Sequence, residues 1–170
     1  MKTLLRMTML LTLIIPVFAQ AEEEDTVVHR LFHIERNKNA NIVVYDALAD
    51  ADGNLIKKDP VIVYWLKLAE DGERKKLKSI ERRMAYGFKI EEREGNLLEL
   101  KMKADIGRNL WVKSVDDVYK AFMEIDGHQA VVEKIFIFAT EGGLIPSVDY
   151  IELFGVDVET GEECYEKFLP

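Results

Sequence analysis

The sequence predicts an all-β fold, mainly antiparallel: a meander of about eight to ten strands that closes as a barrel or a sandwich, with one short α-helix. Short runs rich in β-branched and aromatic residues recur along the chain, as strands require. Turn-forming residues separate these runs at regular intervals. A single segment shows the spacing of three and four between apolar residues that is typical of a helix.

The first strands are predicted in the N-terminal part of the domain. Residues 32–34 alternate between apolar and polar, and the runs 42–45 and 61–66 are β-branched and aromatic. The Asp- and Gly-rich segment 49–54 predicts a turn between these runs. Pro60 is placed where a second strand can begin, because the first residue of a strand tolerates a missing N–H.

The predicted helix covers residues 73–84 and is bounded by glycines. Ile80 and Met84 follow Leu77 at spacings of three and four, among Lys, Glu and Arg. This pattern places the apolar residues on one face of an amphipathic helix. We therefore expect that face to pack against the sheet.

Strand signals then resume after Gly87 and continue to residue 158, where the turn signal at 159–162 ends the last predicted strand. Residues 98–102 alternate between apolar and charged, as in a half-buried strand. Further strands are predicted at 110–112, 119–125, 130–139 and 148–158. Turn signals, most of them containing glycine, separate these runs, so antiparallel hairpins are expected.

The N-terminal residues have the layout of a secretory signal peptide. Residues 1–21 combine a basic start, an apolar run and the small-x-small site Ala19-Gln20-Ala21. Residues 22–26 are predicted to be a flexible acidic leader, and residues 27–170 a single β-rich domain. We expect a periplasmic or secreted protein without a transmembrane segment in its mature form.

Composition narrows the classes of partner. Without the predicted signal peptide the chain has 21 basic and 31 acidic residues. This acidic excess argues against nucleic acid and against anionic membrane surfaces, since both attract basic proteins. Cys164 is the only cysteine, so an intrachain disulfide is excluded. The oligomeric state is left open by the sequence.

No pattern indicates a cofactor, a metal site or a catalytic set. His29 and His33 fall on one strand face about 13 Å apart, too far to share a metal. Neither a Cys/His zinc spacing nor a G-x-S-x-G nucleophile motif occurs.

The polar residues 33–41, which run on into Tyr45 and Asp46, contain two charged side chains that need partners, Glu35 and Arg36. Glu35 and Arg36 point to opposite faces of their strand, and an inward charge is costly unless it is paired. Arg82 or Arg83 could pair with Glu35, and Glu152 could pair with Arg36. The segment is either a polar site or a loop with a structural ion pair.

The leading functional hypothesis is a non-enzymatic, barrel-like binder of a small apolar or amphipathic ligand in the cell envelope. Strand aromatics would line a cavity. The residues predicted at its polar end are Arg36, Tyr45, Tyr64, Arg82, Tyr86 and Glu152. One alternative is an envelope hydrolase, and another is a protein-interaction module with an exposed apolar patch. The acid-base groups of such a hydrolase would be His33, Glu35, Asp46 and Glu152.

Four segments carry a resemblance to a known family. These are residues 33–47, 59–65, 82–87 and 149–155. Together they resemble an uncharacterised family of exported bacterial proteins, the domain of unknown function 4833 (DUF4833). The resemblance implies export and one compact domain, and it implies no activity and no catalytic residues.

Overall fold

The computed structural model describes residues 26–103, 106–140 and 147–170. The predicted signal peptide and all of the predicted leader except Thr26 lie outside the described residues. Eleven strands are described, listed here in chain order: β1 (Val27–Arg36), β2 (Asn39–Ala49), β3 (Val61–Lys67), β4 (Glu73–Lys76), β5 (Phe88–Glu94), β6 (Leu97–Met102), β7 (Leu110–Val115), β8 (Val118–Ile125), β9 (His128–Thr140), β10 (Ser147–Asp157) and β11 (Glu163–Phe168). One helical segment lies between β4 and β5 and consists of α1 (Ser79–Glu81) and a π-helical turn (Arg82–Tyr86).

All eleven strands belong to one sheet. Nine of them follow the path β4-β3-β2-β1-β9-β8-β7-β6-β5, and β10 and β11 extend the sheet from β9. Along one edge of β9, residues 128–131 pair with β8 and residues 134–137 pair with β1, while β10 runs along the other edge. The sheet therefore divides at β9 into two four-stranded wings. The predicted all-β, mainly antiparallel fold is confirmed, and the β1–β9 pairing, which is parallel, makes the sheet mixed.

The sheet curls into a half-barrel. The two ends of the nine-strand path, β4 and β5, are consecutive in the chain and are joined by only eleven residues, 77–87. Eight of these residues are helical and advance only about 1.5 Å each, so the connection is shorter than a flat sheet of nine strands about 4.8 Å apart is wide, and the two wings must bend toward each other. We call the line where the wings meet, between β3–β4 and β5, the seam.

Side chains bridge the seam near the β2–β3 connection. The Arg93 guanidinium donates hydrogen bonds to the carbonyl oxygens of Leu55 and Lys57, at 3.1 and 3.0 Å. Asn96 Nδ2 donates to Asn54 Oδ1 at 3.1 Å. These bonds connect the wings without a ladder of backbone hydrogen bonds.

The interior of the half-barrel is packed with apolar side chains. Inward-facing residues alternate with outward-facing ones along the strands, as expected for a sheet with one covered face. Interior side chains with no exposed surface include Tyr45, Leu98, Leu100, Leu110, Ile125, Ile135 and Leu153. Concavities that could admit a ligand therefore occur at the surface of this packed core.

A helical segment is present, as predicted, but it covers residues 79–86 instead of 73–84. Residues 73–76 form β4, which pairs with β3, and the helical segment begins only at Ser79. Leu77 is buried, as expected, but Ile80 and Met84 are 51% and 56% exposed. The apolar spacing of this segment thus leaves two large side chains in solvent.

Candidate functional site

A surface groove runs along the seam between the two wings. It consists of two adjoining hollows of about 460 and 300 Å³. Both are in the size range of small-molecule sites. Val61 and Val63 line both hollows, and Phe88 lines the smaller one. We call these two hollows together the seam groove.

The charge of the seam groove is opposite to that of the chain. Six Lys and Arg residues and a single acidic residue, Asp59, line it, whereas the whole chain has a net charge of −8. The cations are Lys57, Arg74, Lys75, Lys76, Arg82 and Arg93. A concavity lined by one sign of charge concentrates ligands of the other sign, so this groove favours anions.

Most of these cations are not neutralised by the protein itself. Within residues 26–103, 106–140 and 147–170, no carboxylate forms an ion pair with Arg74, Lys75, Lys76 or Arg82. Their positive charge is therefore available to a ligand. Arg93 keeps its charge as well, because its partners are neutral carbonyl groups.

Arg82 stands between the two hollows and lines both. It begins the π-helical turn, which ends where β5 leaves at Gly87. A Cβ atom at position 87 would lie 1.9 Å from the carbonyl oxygen of Arg82, a distance that no side chain permits. Glycine at this position therefore lets β5 pass close to the turn that carries Arg82.

The edge of β3 also opens into the seam groove. β4 pairs only with residues 64–67 of β3, so the edge at residues 61–63 has no partner strand within the described ranges. An edge of this kind presents backbone N–H and C=O groups. The groove thus offers hydrogen-bonding groups beside its cations.

Tyr64 is fixed at the groove by a buried carboxylate. Its hydroxyl donates to Asp46 Oδ2 at 2.6 Å, and Arg30 Nε donates to Asp46 Oδ1 at 2.6 Å. The Arg74 guanidinium carbon lies 4.9 Å from the centre of the Tyr64 ring. Burial, and then the hydrogen bond to Asp46, raise the pKa of Tyr64 above its ordinary value. The ring therefore stays neutral and in place at physiological pH.

Three other predicted residues meet inside the half-barrel. Tyr45 is fully buried, and its hydroxyl donates to the carbonyl oxygen of Tyr86 at 2.7 Å. Burial raises the pKa of Tyr45 well above its ordinary value. Arg36 Nη1 donates to the Tyr86 hydroxyl at 3.3 Å, and the Trp65 ring contacts the Tyr86 ring edge-on. This cluster anchors the end of the helical segment to the sheet.

Glu152 lies apart from the other five predicted residues. It is on the outer face of β10, where its carboxylate accepts a hydrogen bond from Tyr165 at 3.0 Å and pairs with Lys167 at 3.4 Å. The predicted pairing of Glu152 with Arg36 is therefore wrong, because β11 supplies the partners of Glu152 and Tyr86 that of Arg36.

Glu35 also has partners that the sequence did not indicate. Its carboxylate contacts His33 Nε2 at 3.1 Å and Lys134 Nζ at 3.5 Å on the outer face, instead of Arg82 or Arg83. The parallel neighbour β9 brings Lys134 next to β1.

The acid-base candidates are not gathered in one cleft. His33 and Glu35 are in contact, but Asp46 is held by Arg30 and Tyr64, and Glu152 is held by β11. In the described part of the chain, no three His, Cys, Asp or Glu side chains are grouped so that they could hold a metal ion.

The predicted six residues are thus divided among three places. Tyr64 and Arg82 line the seam groove, Arg36, Tyr45 and Tyr86 form the internal anchor, and Glu152 is on the outer face. Sequence reasoning missed Lys57, Arg74, Lys75, Lys76 and Arg93. A signal for Arg74, Lys75 and Lys76 is present, because residues 74–90 contain seven cations and one carboxylate, but no such cluster surrounds Lys57 or Arg93.

None of the helices in the described ranges is long and apolar enough to cross a bilayer. Searches of curated proteins and of solved structures returned no match to the chain. A family model, described as "Domain of unknown function (DUF4833)", matches residues 32–167. This match covers most of the chain, and the protein therefore belongs to the DUF4833 family.

Proposed function

We propose that the protein is a non-enzymatic binder of a small amphipathic ligand with an anionic head, and that the ligand lies in the seam groove. The single observation that carries the proposal is the charge of this groove: six cations and one carboxylate beside an apolar wall, in a chain with a net charge of −8. We further propose that it acts in the periplasm or outside the cell, on the basis of the signal-peptide pattern in residues 1–21.

The cations would receive the head of the ligand. Arginine matches carboxylate and phosphate oxygens with two parallel hydrogen bonds, and lysine adds point charge. Arg74 and Arg82 both line the larger hollow, which also contains Lys75 and Lys76. The unpaired edge of β3 can complete the hydrogen bonding of the head.

The apolar wall would receive the tail. Val61 and Val63 line both hollows, and Phe88 and Ile90 continue the wall in the smaller one. Ile90 is 38% exposed, so a tail placed against it removes apolar surface from water. A ligand with a charged head and an apolar part uses both halves of the groove, whereas a simple anion uses only one.

The test is native mass spectrometry of the protein with three probes. Lysophosphatidylglycerol has both an anionic head and a tail, glycerol 3-phosphate has only the head, and dodecyl maltoside has a tail without charge. We expect a stoichiometric adduct with the first probe and much weaker adducts with the other two. Equal binding of the first and third probes, or none of the first, would contradict the proposal.

A matched pair of variants locates the site. Arg82→Gln removes a charge-assisted contact, which is worth about 1.5 kcal/mol or roughly tenfold in affinity. Lys101→Gln removes one exposed cation of β6 outside the groove and should leave affinity unchanged. Equal effects of the two substitutions would indicate nonspecific attraction to positive charge.

A further inference from the structure

We infer that the helical segment beside the seam groove docks on the surface of an anionic lipid bilayer. The inference rests on the proposed function in one respect: it names the bilayer as the source of the amphipathic ligand. The two exposed apolar side chains, Ile80 and Met84, would enter the interface, and the cations around them would contact the lipid headgroups.

The helical segment is held firmly enough to present these side chains. Glu81 Oε2 accepts hydrogen bonds from the backbone N–H of Lys78 at 2.7 Å and from Trp65 Nε1 at 3.3 Å. Tyr86 is only 4% exposed and packs against the Trp65 ring. The face of the segment that contains Glu81 and Tyr86 is thus fixed against the sheet.

The apolar pair lies on the solvent-exposed side of the segment. Ile80 and Met84 are four residues apart, so they lie one above the other on one face of the segment. They are 51% and 56% exposed, whereas the apolar side chains of the core are almost fully buried. Two large apolar side chains on one exposed turn form a patch that suits insertion at an interface.

The surroundings of this patch determine its partner. Lys75, Lys76, Lys78 and Arg83 are exposed and flank it in sequence. Glu81 is the one carboxylate between residues 74 and 90, and it faces the sheet. Apolar residues ringed by Lys and Arg are typical of segments that lie in the surface of an anionic membrane.

The charge of the rest of the chain makes this docking directional. An overall charge of −8 repels an anionic surface, so the sequence as a whole argues against membrane binding. The face with the helical segment carries exposed positive charge and is therefore the face that approaches such a surface in this inference. In that orientation Arg82 places the seam groove beside the membrane, where a lipid-derived ligand is available.

The test is sedimentation of the protein with phosphatidylglycerol vesicles, compared with phosphatidylcholine vesicles. We expect binding to the anionic vesicles and its loss at about 1 M salt, where the Debye length falls to about 3 Å. Ile80→Ser combined with Met84→Ser should weaken this binding about thirtyfold, because each side chain loses apolar burial. Val158→Ser combined with Leu169→Ser should change nothing, although these residues are also exposed, at 51% and 78%.

Two outcomes would overturn the docking inference: no sedimentation with either vesicle type, or equal weakening by both pairs of substitutions. Native mass spectrometry with lysophosphatidylglycerol, without vesicles, tests the groove separately. A variant that loses vesicle binding and keeps the lysolipid adduct supports both proposals. An adduct without any vesicle binding leaves the proposed function intact and removes the docking.

Discussion

Removing the hydroxyl of Tyr64 tests how strongly the buried Asp46 carboxylate depends on its partners. Tyr64 is 6% exposed and Asp46 is 1% exposed, and their hydrogen bond is 2.6 Å long. A hydrogen bond to a charged group contributes about 1.5–3 kcal/mol, and the loss is greatest where water cannot replace the donor. We therefore expect Tyr64→Phe to lower the free energy of unfolding by about 2 kcal/mol, since Arg30 still contacts Asp46.

The measurement is urea unfolding, with a melting temperature as a second readout. For a chain of this size about 2 kcal/mol corresponds to a decrease of roughly 4–8 °C. Tyr165→Phe is the matched control, because its hydroxyl also donates to a carboxylate, that of Glu152 at 3.0 Å, but Tyr165 is 49% exposed. The control should be indistinguishable from wild type. Equal effects of the two substitutions would refute the reasoning from burial.

Three further substitutions test single contacts: the close approach at Gly87, the buried hydroxyl of Tyr45, and the hydrogen bond of 2.8 Å from the Thr160 backbone N–H to Asp157 Oδ1. Gly87→Ala should destabilise the protein and weaken lysolipid binding, because the new Cβ displaces the Arg82 backbone; native mass spectrometry and urea unfolding report both effects. Tyr45→Phe should cost about 1–2 kcal/mol at neutral pH. It should also flatten the fall in stability above about pH 10, where an unfolded tyrosine ionises and the buried one keeps its proton. The backbone N–H of Thr160 lowers the pKa of Asp157, so stability should fall as the pH drops below about 4, and Asp157→Asn should make that fall shallower in urea titrations.

Much of the strand content could be read from the sequence because its signals are local. The alternation in residues 98–102 and the β-branched run of β2 and β3 depend only on neighbouring side chains and on the period of a strand. The pairing of β1 with β9 depends instead on a contact between distant segments. No local pattern specifies such a pairing, and the partners of Glu35 and Glu152 were mispredicted for the same reason.

The candidate site could be predicted only in part. Tyr64 and Arg82, which line the groove, are two of the six residues proposed from the sequence; Tyr64 lies in the strand run 61–66 and Arg82 in the predicted helix 73–84. The cations of β4 were read as the polar face of a helix, whereas pairing with β3 places them along the groove. These cations line a groove only because the two wings of the sheet curl toward each other and meet at the seam.

The division of the sheet at β9 has a consequence for how the chain folds. β1 pairs with a strand about a hundred residues further along, so a large loop must close before that contact forms. Folds dominated by such distant pairings reach the native state in milliseconds to seconds, far more slowly than helical bundles. Until β9 has been made, no strand joins β1 to β8 in the sheet, so the two wings lack their shared central strand. The unfinished chain therefore exposes the strand edges that β9 later covers, and completion of the C-terminal third should coincide with cooperative folding.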